Sequence, residues 1–379
     1  MSSRLRIAQE LMEEFARSTG LAPGGGVEPR RYLWTDAFAV FNYVELYKLT
    51  GEGRYKQLAL ALVDQVHRVL GRHRGDDGRS GWISGLEEQE AEEHPTAGGL
   101  RIGKRLPERR EGEPYDPLLE WERDGQYYHY LTKWMLALCR VAQATGEAKY
   151  LRWGVELAEV AHKAFTYTSD VDGRRHIYWK MSIDLSRPLV PQEGAHDAID
   201  GLVTYAELQA ASGGGVLQAE LAEALDMCKS RDWSEWVTED PLGVGELLCL
   251  SYRAARLAAG GLECLREVLG PLLEAAYVSL RAYLPRELFA LPAERRLAFR
   301  ELGLSIGLHA AEGLGRLAEG LGLDRQLVEG LRRFVAMRSQ IEEFWLSQGS
   351  RKSRAWAEHY DINTVMLVAS LLPEGYLGR

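Results

Sequence analysis

Residues 34–79 read WTDAFAVFNYVELYKLTGEGRYKQLALALVDQVHRVLGRHRGDDGR, and this stretch decides the architecture. Its first part is aromatic-rich and mostly apolar as far as Thr50-Gly51. Beyond it Tyr55, Leu58, Ala59, Leu62, Val66, Val69 and Leu70 recur at the spacing of one helical face. Gly51 and the Asp77-Gly78 turn supply the stops. The stretch therefore predicts a hairpin of one buried and one amphipathic helix. The same plan returns: Thr145-Gly146-Glu147 repeats Thr50-Gly51-Glu52, and Asp172-Gly173-Arg174 repeats Asp77-Gly78-Arg79. Both recurrences lie 95 residues on (145 − 50 and 172 − 77), and a fixed period is the signature of a repeat architecture.

Three further hairpins follow the second one (127–144 and 149–165): 199–211 with 216–228, 244–259 with 262–284, and 297–321 with 324–346. An amphipathic helix over 4–17 and a helix over 361–372 remain, and their pairing makes a sixth hairpin. Links inside hairpins are short, as in SGGG at 212–215; links between hairpins are long. The first helices are apolar all round, as in VGELLCLSYRAARLAA (244–259) and INTVMLVASLL (362–372). A helix apolar on every side is buried, and one with a single apolar stripe lies outside. The expectation is one all-α domain spanning 1–379, an (α/α)6 toroid with first helices inside and second helices outside. Minor strands are expected in the long links, as in HIYWKMSIDL (176–185). The longest link, 72–126, carries an acidic run at 87–93 and a basic run at 101–110. It reads as a solvated segment with self-compensating charge, or as a lid.

The 379 residues carry a net charge of −9, with a pI near 5.6, which excludes a general nucleic-acid binder. No run of about 18 apolar residues is present, so no membrane span is expected. MSSRLRIAQELMEEF (1–15) lacks the apolar core of a signal peptide. Cys139, Cys228, Cys249 and Cys264 are scattered through predicted helices, as suits a reducing compartment. A cytoplasmic location is expected. Phosphate-loop, nucleophile-elbow and dinucleotide motifs are missing. His196-Asp197 and His359-x-Asp361 lack a third ligand at useful spacing, so neither metal nor cofactor is expected. Oligomeric state is left open.

The long links gather where the inner helices begin, and functional residues concentrate on loops held by a rigid scaffold. Helix dipoles at that mouth favour ionised carboxylates. The helix starts supply Trp34 and Asp36; Trp121, Asp124, Tyr127, Tyr128 and His129; His196, Asp197 and Asp200; Trp236, Glu239 and Asp240; and Trp356, Glu358, His359, Tyr360, Asp361 and Asn363. Trp179 stands in the link before the third inner helix. Trp and Tyr faces stack on pyranose rings, while carboxylates and imidazoles bind hydroxyls and move protons. Capping explains Asp36, Asp240 and Asp361 equally well. Core packing explains Tyr127 and Tyr128 equally well, and structural roles suit His67, His162 and His309.

This combination resembles the six-hairpin glycosidases. WTDAFAVFNYVELYKLTGEGRY (34–55) is similar to the His-Asp-x-Gly-Phe…Thr-Gly-Asp…Tyr region of unsaturated glucuronyl hydrolases. Asp36 then takes the place of one catalytic-region Asp, with Trp34-Thr35 for the usual neighbours and Ala37 for Gly. The second hairpin followed by VDGRRHIYW (171–179) resembles that family's next hairpin and its Asp-Gly turn. The family's acid/base Asp falls here near Tyr127–His129, with Asp124 just upstream. The resemblance implies a glycoside hydrolase acting on a small oligosaccharide or uronate-containing sugar. Asp36 is the expected base, and Asp124, Asp197 or Asp200 the acid, oriented by His129 or His196. Trp34, Trp121, Tyr127, Tyr128, Trp179, Trp356, Glu358, His359, Tyr360 and Asp361 are the expected sugar contacts. The related N-acylglucosamine epimerases share the toroid, and His129, His196 and His359 suit a sugar epimerase or isomerase. A non-catalytic toroid binding a sugar or a protein is the third expectation.

Overall fold

The computed structural model describes residues 3–22, 28–283 and 291–378. Its helices run in chain order as α1 (Ser3–Ser18), α2 (Leu33–Thr50), α3 (Gly53–Leu70), α4 (Glu88–Glu93), α5 (Pro117–Glu122), α6 (Tyr128–Thr145), α7 (Ala148–Phe165), α8 (Asp197–Ala211) and α9 (Gln218–Lys229). They continue as α10 (Pro241–Ala259), α11 (Arg266–Tyr283), α12 (Ala298–Leu321), α13 (Arg325–Arg332), α14 (Met337–Leu346), α15 (Gln348–Arg351), α16 (Arg354–Glu358), α17 (Tyr360–Leu371) and α18 (Glu374–Leu377). The chain divides into two compact units, 16–227 and 1–15 with 228–379. Among the described residues no helix is long and apolar enough to cross a membrane.

In the 16–227 unit, α2 is buried at every position from Leu33 to Leu46, and it packs beside α6, which packs beside α8. Helices α3 and α7 each bury one stripe, such as Tyr55, Ala59, Leu62 and Val66 of α3, against those first helices. The 95-residue repeat is exact at the level of hydrogen bonds. Thr50 Oγ1 donates to the Leu46 carbonyl at 2.7 Å, and Thr145 Oγ1 to that of Val141 at 2.9 Å. The same hydroxyls accept from Glu52 N at 3.1 Å and Glu147 N at 3.2 Å. Gly51 and Gly146 close their helices in the left-handed region, at φ 72° and 75°, where glycine carries no Cβ penalty. Both Asp-Gly turns also match: Asp77 accepts from Arg79 N, and Asp172 from Arg174 N, each at 3.0 Å.

The expected strands form. Strands β1 (Gln126–Tyr127), β2 (Thr166–Thr168), β3 (Arg175–Ile177), β4 (Lys180–Met181) and β5 (Pro188–Val190) make an antiparallel sheet of order β1-β4-β5 and a β2-β3 hairpin. The 72–126 link departs from a solvated segment. The acidic run is helix α4, and Arg101 and Asp124 of this link are buried. Asp124 accepts from Arg74 at 3.1 Å, Arg101 at 2.6 Å and Gly103 N at 3.0 Å. Lys180 of β4, wholly buried, donates to Glu120 Oε1 at 2.9 Å and to the Arg123 carbonyl at 2.9 Å. Paired buried charges of this kind hold only with close partners, since an unpaired one is strongly destabilising.

In the unit built from 228–379, α10 and α12 touch along their backbones. A Cβ at Gly245 would stand 2.2 Å from the Gly303 carbonyl oxygen, and one at Gly307 would stand 2.5 Å from that of Gly245. Side by side with α12 lie α14 and α17. Buried Glu342 of α14 is hydrogen-bonded by His309 at 3.1 Å and Ser370 at 3.1 Å, and it is ion-paired to Arg4 of α1 at 2.8 Å. The second helix expected over 324–346 is two helices, α13 and α14, interrupted at 333–336.

Candidate functional site

The chain passes from strand to helix between Tyr127 and Tyr128, and that change of backbone sorts the aromatic side chains. Tyr127 is extended (φ −101°, ψ 132°) and pairs with Lys180 of β4. This pairing brings Trp179 against it, with ring centroids 4.8 Å apart. His129, in the first turn of α6, stacks on Tyr127 at 5.3 Å and lies parallel to Trp179 at 6.2 Å with 14° between planes. Tyr130 meets His129 edge-on at 4.9 Å, and Trp34 of α2 stands 5.4 Å from Tyr130. Trp121, half exposed, stacks on Trp179 at 5.5 Å, with the Lys104 ammonium 4.8 Å from its ring centre. The result is an aromatic face graded from buried Trp34 to exposed Trp121, interrupted by one imidazole.

Asp197 borders this face from the first turn of α8. Its Oδ1 lies 3.7 Å from His129 Nδ1, and its Oδ2 accepts from Gly194 N at 3.1 Å. Burial, then the charges of Glu193 and Asp200, push the Asp197 carboxyl up to about 8. Burial and the nearby Lys133 hold His129 down to about 3. At neutral pH the pair is thus a protonated carboxyl beside a neutral imidazole. Asp200, one helical turn on, differs: Lys133 Nζ donates to it at 2.8 Å, as does the Thr132 hydroxyl. The Lys133 ammonium also lies 5.7 Å from the Trp34 ring centre. Glu193 receives His176 Nδ1 at 3.1 Å, and the other ring nitrogen of His176 bonds Asp172 at 3.0 Å.

The structure thus brings Trp34, Trp121, Tyr127, His129, Trp179, Asp197 and Asp200 together within one unit. The other expected site residues have these partners. Asp36 is not a free base: it is buried, ion-paired to Arg31 at 3.1 Å, and capped onto Tyr32 N at 2.8 Å. Asp124 is not an available acid, because Arg74, Arg101 and two backbone amides occupy it. Tyr128 is core; its hydroxyl bonds that of Tyr205 at 2.6 Å beneath α8. His196 precedes α8 and is partly exposed.

Trp356, Glu358, His359, Tyr360 and Asp361 belong to the other unit. Trp356 is buried against Trp345 at 5.8 Å, and Glu358 is exposed and paired with Arg354 at 2.7 Å. Exposed His359 meets Phe299 edge-on at 5.6 Å, Tyr360 is hydrogen-bonded to Glu14, and Asp361 lies in the first turn of α17. Tyr130, Lys133 and Glu193 were not singled out from the sequence. Lys133 carried a signal, since it follows His129 by four residues and so shares its helix face, opposite the Asp197/Asp200 pair. Among the described residues no group of three His, Cys, Asp or Glu side chains could hold a metal ion.

No family model matches the chain, and no curated protein does. Solved structures match over its whole length. A family 76 α-mannanase of Bacteroides thetaiotaomicron is 9% identical, with 100% of this chain and 98% of that one covered and a TM-score of 0.59. A family 76 α-1,6-mannanase of Salegentibacter sp. is 13% identical over 97% and 98%, with a TM-score of 0.55. An inactive variant of that enzyme, with two aspartates replaced by asparagine, is in complex with α-1,6-mannotriose. A sugar epimerase from a ruminal bacterium is 12% identical over 97% and 98%, with a TM-score of 0.52. At these identities the likeness is one of fold alone, the all-α fold of six helical hairpins, an (α/α)6 toroid.

Proposed function

We propose that this chain is a carbohydrate-active enzyme, most specifically a glycoside hydrolase, whose catalytic face is the aromatic surface around His129. The observation that carries the reading is Asp197, a buried carboxyl held protonated at neutral pH beside an imidazole and stacked aromatic rings. A general acid must keep its proton until the leaving oxygen takes it, and burial with like charges is the means. In this reading Asp197 protonates the glycosidic oxygen and Glu193 is the second carboxylate, drawing a proton from the attacking water. Trp179 and Trp121 stack on sugar rings, and His129 orients Asp197. Small α-linked oligosaccharides are the substrate class, with mannosides first because the mannanases named above share the fold. Cysteines set one by one within or beside helices, three of the four buried, suit a cytoplasmic enzyme.

The test is turnover of α-1,6-mannobiose, α-1,6-mannotriose and a panel of other small glycosides, read by release of reducing ends. Activity that Asp197→Asn abolishes, with sugar binding retained, supports the assignment. A wild-type chain that cleaves nothing in the panel refutes hydrolysis. A second reading rests on His129, which burial keeps neutral and so able to accept a proton from a sugar carbon. It makes the chain a sugar epimerase or isomerase. Solvent deuterium incorporated at a sugar carbon without bond cleavage selects it.

A further inference from the structure

A second cleft lies away from the aromatic face. It occupies about 510 Å³ between α3, the α4 segment and α7, and none of its lining belongs to the Asp197 site. That volume is within the roughly 300–1,000 Å³ of small-molecule sites. Three acids, Asp64, Glu92 and Glu93, and three bases, Arg68, Lys149 and Arg152, line it. Among the described residues no acid of this set is ion-paired to a base of the set. Lys149 pairs instead with Glu147 at 3.4 Å, outside the lining.

The wall of the cleft is aromatic and rigid. The Trp153 indole nitrogen donates to the Glu93 carbonyl at 2.8 Å, and its ring meets His67 edge-on at 5.2 Å. His67 is 3% exposed, and its Nε2 accepts from the Trp134 indole at 3.0 Å. With Nε2 accepting, the proton of a neutral ring sits on Nδ1, and burial keeps the ring neutral. Among the described residues no acceptor takes that N–H, although His67 lines the cleft. Nδ1 is not among the fully buried atoms of the chain, so this N–H is a donor open to whatever fills the cleft.

The rim carries as many acids as bases, which disfavours an ion of either sign. Acceptors and donors line the same cleft as an indole and a neutral imidazole donor, and that mixture complements a ring bearing several hydroxyls. We propose that the α3/α4/α7 cleft is a second binding site, for a neutral polyhydroxyl compound the size of a mono- or disaccharide. Trp153 supplies the apolar contact; Asp64, Glu92 and Glu93 accept from hydroxyls; Arg68, Arg152 and His67 Nδ1–H donate to them. The site is separate from catalysis and stands whether or not the chain hydrolyses glycosides.

The test is calorimetric titration of the full chain with D-mannose, D-glucose, maltose and inorganic phosphate. The expected result is saturable binding of at least one of the sugars that Arg152→Ala weakens about tenfold, the loss of one charge-assisted hydrogen bond. Arg152 is exposed and has no partner among the described residues, so its removal leaves the fold intact. Trp153→Ala is expected to abolish the same event, and Trp179→Ala, on the aromatic face, to leave it unchanged. No saturable sugar binding overturns the proposal, as does sugar binding indifferent to Arg152→Ala and Trp153→Ala. Binding of phosphate alone overturns it too, and makes the cleft an anion site. Turnover at the aromatic face is scored separately, so failure of one site does not hide the other.

Discussion

Replacing Asp197 by asparagine should stabilise the protein, and more so as the pH rises. In the unfolded chain this carboxyl loses its proton near the ordinary 3.8; in the folded chain it keeps it up to about 8. Between those values the folded state binds one more proton than the unfolded state. Linkage then makes stability fall as pH rises through that window, by about 1.4 kcal/mol per pH unit. The accumulated cost reaches about 4 kcal/mol at pH 7 and about 6 kcal/mol well above pH 8. An asparagine keeps an oxygen for the Gly194 amide, now bonded at 3.1 Å, and never has to bury a charge. Urea unfolding of both proteins at pH 5, 6, 7, 8 and 9 should give midpoints that diverge with pH and then run parallel above about 8. Turnover by the variant should fall by about 10²–10⁴-fold, the range of one general acid. A constant gap across this range, or a variant weaker at every pH, would refute the argument. The folded carboxyl would then be ionised and unfit to donate a proton.

Arg31→Ala leaves Asp36 buried without its cation and should cost about 3–5 kcal/mol of stability, read by denaturant unfolding; an unchanged midpoint would return Asp36 to the list of free carboxylates. Gly245→Ala forces a methyl to within 2.2 Å of the Gly303 carbonyl oxygen and should cost about 3 kcal/mol, visible as a lowered Tm. Trp179→Ala removes the ring that stacks on Trp121 and packs against Tyr127, and should raise KM about tenfold with a small change in Tm, the loss of one aromatic stacking contact to the sugar.

The architecture was legible because its punctuation is chemical and local. Thr-Gly-Glu closes a helix by the same three hydrogen bonds wherever it occurs, so 50–52 and 145–147 announce the same hairpin. Burial of the first helices follows from their lack of a polar face, as α2 and α10 show. The break at 333–336 was hidden because no proline or glycine marks it; Arg332-Arg333-Phe334-Val335-Ala336 is ordinary helix sequence.

The site was legible by residue type and illegible by role. Asp36, Asp124, Asp197 and Asp200 all stand at or before helix starts, and nothing local separates them. What separates them is which cation reaches each one. Arg31 reaches Asp36 from five residues away, Arg74 and Arg101 reach Asp124 from 50 and 23 away, and Lys133 reaches Asp200 from 67 away. No cation is bonded directly to Asp197 among the contacts that define it; an amide and an imidazole face it instead. Its chemistry is therefore a consequence of tertiary pairing that spends every nearby base elsewhere. The 72–126 link contributes to that arrangement. Its charges, read as a solvated run, tie Asp124 and Glu120 down beside β1 and β4, the strands that set Tyr127 against Trp179. The insertion is thus part of the scaffold of the aromatic face, and a change that loosens it, such as loss of Arg101, should disturb sugar binding before it disturbs the helices.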